Sequence, residues 1–161
     1  MNRRQGFTLL EILIYSVIFL VVIGAIVNTA LNLTIQSQET VAYEYLIDES
    51  DLVFERVMRD LGEGLVLNDG SSTLGVDSSV ISYANEGGDT IVYSLSNGEL
   101  QKTINAGGAT TMNSDEITVT RFLVENLNPS SDVTLIQATI DTTNDYGQSY
   151  SLTSSVNFLD E

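Results

Sequence analysis

Gly6-Phe7-Thr8-Leu9-Leu10-Glu11-Ile12 opens a stretch that, after Glu11, carries no charge until Glu39. A single carboxylate therefore stands near the start of a segment long enough to cross a membrane. A lone acid among apolar residues costs on the order of 3 kcal/mol unless something neutralises it, so it calls for a partner. One candidate lies close by. A cut between Gly6 and Phe7 would create an α-amino group, with a pKa of about 8, one helical turn from Glu11 or from the Glu11 of a neighbouring chain. Opposite charges attract strongly where water is scarce, and one acid and one amine per helix would set the axial register of a bundle of identical helices.

Outward from that stretch, Met1-Asn2-Arg3-Arg4-Gln5-Gly6 is short, polar and basic. Ahead of an apolar run it reads as the cytoplasmic flank of a membrane segment, because Lys and Arg are retained on the inner side. An ordinary secretory signal shares that layout. From Ile12 to Ile35 the chain is Ile, Leu, Val, Ala and Phe, interrupted only by Tyr15, Ser16, Gly24, Asn28, Thr29, Asn32 and Thr34. About 20 such residues span a bilayer as a helix. Gly24 either loosens this helix locally or permits close packing of another helix.

Composition narrows the chemistry. The chain has 161 residues and a formal charge of −16, with six basic residues: Arg3, Arg4, Arg56, Arg59, Lys102 and Arg121. Such a surface repels phosphate backbones, so no nucleic-acid binding is expected. Cys and His are both absent, which removes disulfides, thiol nucleophiles, imidazole bases and zinc sites of the usual type. Ser and Thr are plentiful, but the familiar base left to them is a Lys, and Lys102 is predicted to sit in an exposed hairpin. No carboxylate pair has a context that would separate two pKa values. No catalytic residues are expected.

The residues around Glu11 carry a family resemblance. Gly6-Phe7-Thr8-Leu9-Leu10-Glu11, behind a basic leader and ahead of an apolar helix, resembles the processing site of type IV prepilins and of the pseudopilins of type II secretion. The resemblance implies that a prepilin peptidase cuts after Gly6 and N-methylates Phe7, and that Glu11 pairs with the N-terminus of a neighbouring subunit. It also implies a subunit that waits in the cytoplasmic membrane as a single-pass protein with its N-terminus inside. From there it would join an extracytoplasmic filament, with other pilins or pseudopilins and the assembly platform as partners. One feature departs from many family members, which carry a Pro midway along the apolar helix; the one Pro here is Pro129.

From Glu39 the pattern changes while the helix continues. Ala42, Leu46, Glu49, Val53, Val57 and Leu61 recur at spacings of three and four and draw one stripe, with Glu44, Asp48, Asp51, Glu55 and Asp60 largely elsewhere on a solvated acidic face. Gly62 and Gly64 end the helix. A helix from Phe7 to Glu63 would measure roughly 85 Å, far more than a small core needs. Leu65–Ser79 reads as a loop. Val80–Tyr83, Thr90–Leu95 and Glu99–Ile104 follow as strands, with a hairpin at Ser96-Asn97-Gly98. Asn105–Ser114 reads as a flexible surface loop. Ile117–Glu125 is a strand with Thr118, Thr120, Phe122 and Val124 on one side. Val133–Asp141 and Tyr150–Phe158 form a last hairpin across Asn144-Asp145-Tyr146-Gly147.

Strands in succession without intervening helices predict an antiparallel sheet covering the helical stripe. The fold class is α+β and pilin-like: residues 1–6 as leader, 7–38 as the apolar half of the helix, 39–64 as its amphipathic half, 65–161 as the β domain. Asp141, Asn144 and Asp145 cluster in a turn and offer hard oxygen ligands of the kind Ca²⁺ takes, but without the EF-hand spacing. Asn and Asp are the ordinary turn residues, so no cofactor is expected.

A second, looser resemblance lies downstream. Phe54-Glu55-Arg56-Val57-Met58-Arg59-Asp60-Leu61, Asp89-Thr90-Ile91-Val92-Tyr93 and Asn97-Gly98-Glu99-Leu100 are similar to segments of J-type minor pseudopilins and related minor pilins. Three readings of function remain open: a filament subunit, a membrane-anchored binding module whose helix is a tether, and a secreted domain whose apolar run is discarded.

Overall fold

The computed structural model of the chain describes residues 8–128 and 133–159. Its first element, α1 (Leu9–Gly62), is one uninterrupted helix of 54 residues. The chain divides into two compact units, Met1–Val41 and Ala42–Glu161.

In the first unit the helix is apolar on every face, and its large side chains from Leu9 to Ile35 are exposed. It is long and apolar enough to cross a membrane. Hydrocarbon offers no partner for a peptide group, so a chain that enters it must pair those groups within itself, and a helix does so. The polar interruptions obey the same rule. The hydroxyls of Ser16, Thr29 and Thr34 donate to the carbonyls of Ile12, Ala25 and Ala30 at 2.8, 2.9 and 3.0 Å, one turn back. Each of these three hydroxyls is thereby satisfied on the helix surface. The helix runs unbroken through Gly24, and among the described residues of this unit nothing lies within 4 Å of where a Cβ would stand there.

In the second unit the helix buries Leu46, Ser50, Val53, Phe54, Val57 and Leu61: four of the expected stripe, with Ser50 and Phe54 added, while Ala42 and Glu49 are only half-buried. It closes where the Glu63 amide donates to the carbonyls of Arg59 and Asp60 at 3.2 and 3.3 Å. The strands are β1 (Gly64–Leu67), β2 (Ile81–Asn85), β3 (Thr90–Ser96), β4 (Glu99–Ile104), β5 (Thr110–Thr111), β6 (Ile117–Asn126), β7 (Val133–Asn144) and β8 (Ser149–Leu159). They divide into two antiparallel sheets, one ordered β1-β2-β3-β4-β5 and the other β6-β7-β8. Tyr83, Tyr93, Ile81 and Leu100 from the first and Phe122, Ile136, Ile140 and Phe158 from the second share one core with the helix. The Tyr83 and Phe158 rings meet edge to face at 5.7 Å. Ser50 and Thr142 share a hydrogen bond of 2.7 Å, which satisfies both hydroxyls in the interior.

Three expectations are corrected. The segment read as a loop over Leu65–Ser79 begins with β1, whose Val66 and Leu67 lie opposite Ala84 and Tyr83, and also holds a 3-10 turn at Asp69–Ser71. A four-residue strand carries too little alternation to be seen, because its partner is distant in sequence.

The second correction concerns β6. Its buried residues are Ile117, Val119, Phe122 and Val124, while Thr118 and Thr120 are exposed. A bulge between Val119 and Arg121 inserts one extra residue, so the alternation changes phase there. Phe122 and Val124 keep the side expected of them, and Thr118 and Thr120 do not.

The third is Asn105–Ser114, which contains β5 and a buried anchor. The Asn113 side chain accepts from the Leu100 amide at 2.8 Å and donates to the Ile117 carbonyl at 2.9 Å. At the expected hairpin Asn97 and Gly98 adopt φ of 53° and 82°, the left-handed pair of a two-residue turn.

Gly64 is the tightest point of the core. A Cβ there would stand 2.2 Å from Phe158 Cε1 and 2.9 Å from Tyr83 Cδ2. Gly64→Ala should therefore lower the unfolding free energy by about 1–3 kcal/mol in denaturant titration of the full chain in micelles. Gly108→Ala, where nothing lies within 4 Å, should leave the midpoint unchanged.

Candidate functional site

The candidate site is the start of the apolar helix. Gly6 and Phe7, the expected cleavage and methylation positions, lie outside the described residues. The structure begins to speak at Thr8, which caps α1. The Glu11 amide donates to the Thr8 carbonyl at 3.1 Å and to its hydroxyl oxygen at 3.3 Å. Thr8-Leu9-Leu10-Glu11 thus has the spacing of a capping box, with an acid at the third helical position. The free amides at the helix start make that end electropositive, and a carboxylate is favoured there. Thr followed three residues later by Glu is also the sequence signal of a helix start, and the bonds seen there are those of the Glu11 main-chain amide. Glu11 is half-buried, whereas Leu9, Leu10, Ile12 and Leu13 beside it are exposed.

Two of the calcium candidates, Asn144 and Asp141, are engaged by other residues. The Asn144 side-chain oxygen accepts from the amides of Tyr146 and Gln148, both at 3.1 Å. Its amide group donates to Gln148 Oε1 at 2.8 Å and to the Ala42 carbonyl at 3.3 Å. Asp141 accepts a hydrogen bond from the Ser151 hydroxyl and lies 3.6 Å from the Arg121 guanidinium, which also pairs with Asp77 at 2.7 Å. Asp145 is exposed in the turn. Among the described residues no group of three or more carboxylates converges.

A cluster of polar groups that sequence reasoning missed lies at the C-terminal end of α1. Asp60, expected on the solvated acidic face, is only 13% exposed in its side chain, and Lys102, expected in an exposed hairpin, is only 20% exposed. The Lys102 ammonium and the Tyr93 hydroxyl both donate to Asp60 Oδ2, the latter at 2.5 Å. The ammonium also stands 5.9 Å from the centre of the Tyr93 ring. The helix end is thereby fastened to β3 and β4. Burial, then the hydrogen bond to Asp60, pushes the Tyr93 hydroxyl far above the usual tyrosine range. Tyr83 is pushed up as well, by burial and then by the negative charges of Asp60 and Glu63. Its hydroxyl is buried without a hydrogen-bond partner. The arrangement is a latch: it has a base and an acid, but they are spent on each other. No local pattern could reveal it, because its members are 33 and 42 residues apart.

Residues 1–27 match the family model described as the prokaryotic N-terminal methylation motif. The N-terminal segment is accordingly a class III signal of the kind carried by type IV pilins and pseudopilins. The comparisons with curated proteins and with solved structures returned no match.

The two tyrosines give opposite expectations. Tyr83→Phe removes an unpaired buried hydroxyl and should raise stability by about 1 kcal/mol, whereas Tyr93→Phe strips a hydrogen bond from a half-buried carboxylate and should lower it by about 1–3 kcal/mol. Both folded-state pKa values lie above the unfolded value, so their contribution is complete below about pH 10. As pH rises past that point the unfolded tyrosines ionise while the folded ones keep their protons, and stability falls. Denaturant midpoints measured from pH 7 to the alkaline limit check both statements, and the alkaline fall should be shallower in the double Phe variant.

Proposed function

We propose, from a chain that carries the N-terminal methylation signal of type IV pilins and pseudopilins on an apolar helix, that it is a filament subunit cleaved after Gly6, methylated at Phe7 and assembled through α1. The observation that carries this reading is a helix apolar on all faces that finds no partner within its own unit. Such a surface is covered either by lipid or by other helices of its kind. Glu11 would meet the new N-terminus of a neighbouring subunit, adding an intermolecular charge pair to the intrachain cap. The partners would be other pilins or pseudopilins, the prepilin peptidase and the assembly platform. The subunit would wait in the cytoplasmic membrane with its N-terminus inside before entering an extracytoplasmic filament. A minor position in that filament is supported by the likeness of the segments after Phe54 to J-type subunits.

A tethered binding module is the second reading, favoured by one observation: residues Ala42–Glu161 form a compact unit with its own core. Mass spectrometry of the N-terminus of protein taken from cells separates the two. A chain starting at methylated Phe7 is expected, and an intact Met1 would support the tether instead. Glu11→Gln should leave membrane insertion intact and reduce the amount of this subunit in sheared filaments by about tenfold, the effect of losing one charge pair in a water-poor interior. Undiminished incorporation would remove Glu11 from the assembly step.

A further inference from the structure

The sheet edges of the second unit are treated unequally. β5, at one end of the larger sheet, is two residues long, and β1, at the other, is four residues long and irregular. The outer edge of β6 is covered by the segment before β2. The Gly75 and Ser79 amides donate to the carbonyls of Val124 and Phe122, and the Phe122 amide donates to that of Asp77. β8 is different. It is 11 residues long, ends its sheet, and contains no Pro, Gly or charged residue from Ser149 to Leu159. Those are the devices that normally blunt an edge.

Its outer groups, unpaired among the described residues, can be counted off from the hairpin. The Asn144 amide donates to the Gln148 carbonyl at 3.1 Å, which makes that pair hydrogen-bonded. Alternation then turns the amides of Tyr150, Leu152 and Ser154 toward β7 and those of Ser151, Thr153 and Ser155 outward. The side chains of Ser151, Thr153 and Ser155 are exposed on one face, and those of Tyr150, Leu152 and Val156 are half-exposed on the other.

We infer that the outer edge of β8 takes up an extended segment of a different protein as a fourth strand of its sheet, with apolar residues on the helix-facing side and Lys or Arg on the other. The apolar residues would extend the half-covered row of Tyr150, Leu152 and Val156. The cations would meet Asp141, beside Ser151, where one guanidinium serves two carboxylates and leaves net negative charge. The negative charge of Asp51, on α1, bears on the Tyr150 hydroxyl from the opposite face, so that end of the edge has carboxylates on both sides. A second copy of this chain is the poorer occupant. Outside the first six residues it has four cations, Arg56, Arg59, Lys102 and Arg121, and no segment in which they alternate with apolar residues. Main-chain pairing would supply affinity and the alternation would supply specificity. This inference concerns the second unit and is independent of the filament reading.

The test uses the full chain in zwitterionic micelles and a fluorescent peptide of about ten residues, the length of a long strand, that alternates lysine and valine. Anisotropy should show saturable binding. Methylating alternate backbone nitrogens of the peptide should weaken it by more than about tenfold, since that blocks strand pairing and leaves charge unchanged. Thr153→Pro removes an outward amide without touching the β7 ladder and should weaken binding to a similar degree. No binding, or binding indifferent to backbone methylation, overturns the inference; the second result would reveal only attraction between a cationic peptide and an anionic protein. Self-association of the chain that Thr153→Pro abolishes would overturn the choice of occupant.

Discussion

A peptide group that leaves water must find its partner within the protein, and that requirement organises the first unit of this chain. It explains why an apolar stretch of this length is a helix without a break, and why its Ser and Thr hydroxyls bond back to carbonyls one turn behind them. It also explains the start: four amides of the first turn have no helical acceptor, and Thr8 supplies one while Glu11 sits in the positive field they leave. Because α1 runs on into the second unit, the same helix must there change its surface from apolar on all faces to apolar on a single stripe.

The second unit completes that stripe with two sheets of unequal regularity. Helix, five-stranded sheet and three-stranded sheet meet around Tyr83, Tyr93, Phe122 and Phe158. Polar groups inside are few and mostly paired, Ser50 with Thr142 and Asp60 with Lys102 and Tyr93. Among the described residues Tyr83 is the exception, an unpaired hydroxyl near two acids, and it stores free energy that the fold elsewhere offsets.

What could be read from residues alone follows from how local each signal is. The helical stripe was legible because Leu46, Val53, Val57 and Leu61 repeat within one element. The Asn97-Gly98 turn was legible because few residues other than Asn and Gly adopt its backbone angles. The methylation signal was legible from Gly6 to Glu11, yet its familiarity hid the helix cap written in the same letters. β1 and the Asp60–Lys102–Tyr93 latch were illegible because each depends on residues brought together from far along the chain. Asn113 looked like any loop Asn until its side chain was seen to take the place of a missing strand neighbour for Leu100 and Ile117.

The irregularity at Thr120 has a consequence for how this strand can vary in length. Ile117 and Val119 keep one rhythm and Phe122 and Val124 the other, so β6 is two short phrases spliced out of phase. Losing the one extra residue would let Ile117, Val119, Phe122 and Val124 alternate regularly on the buried side, whereas losing a residue inside either phrase, Thr118 or Leu123, would turn the end of that phrase outward. A comparable change at Gly108, where the chain has open space around it, displaces nothing in the interior. Relatives of this protein should therefore differ freely in the number of residues around Gly108, tolerate loss of the extra residue at the splice, and hold the number constant within each phrase.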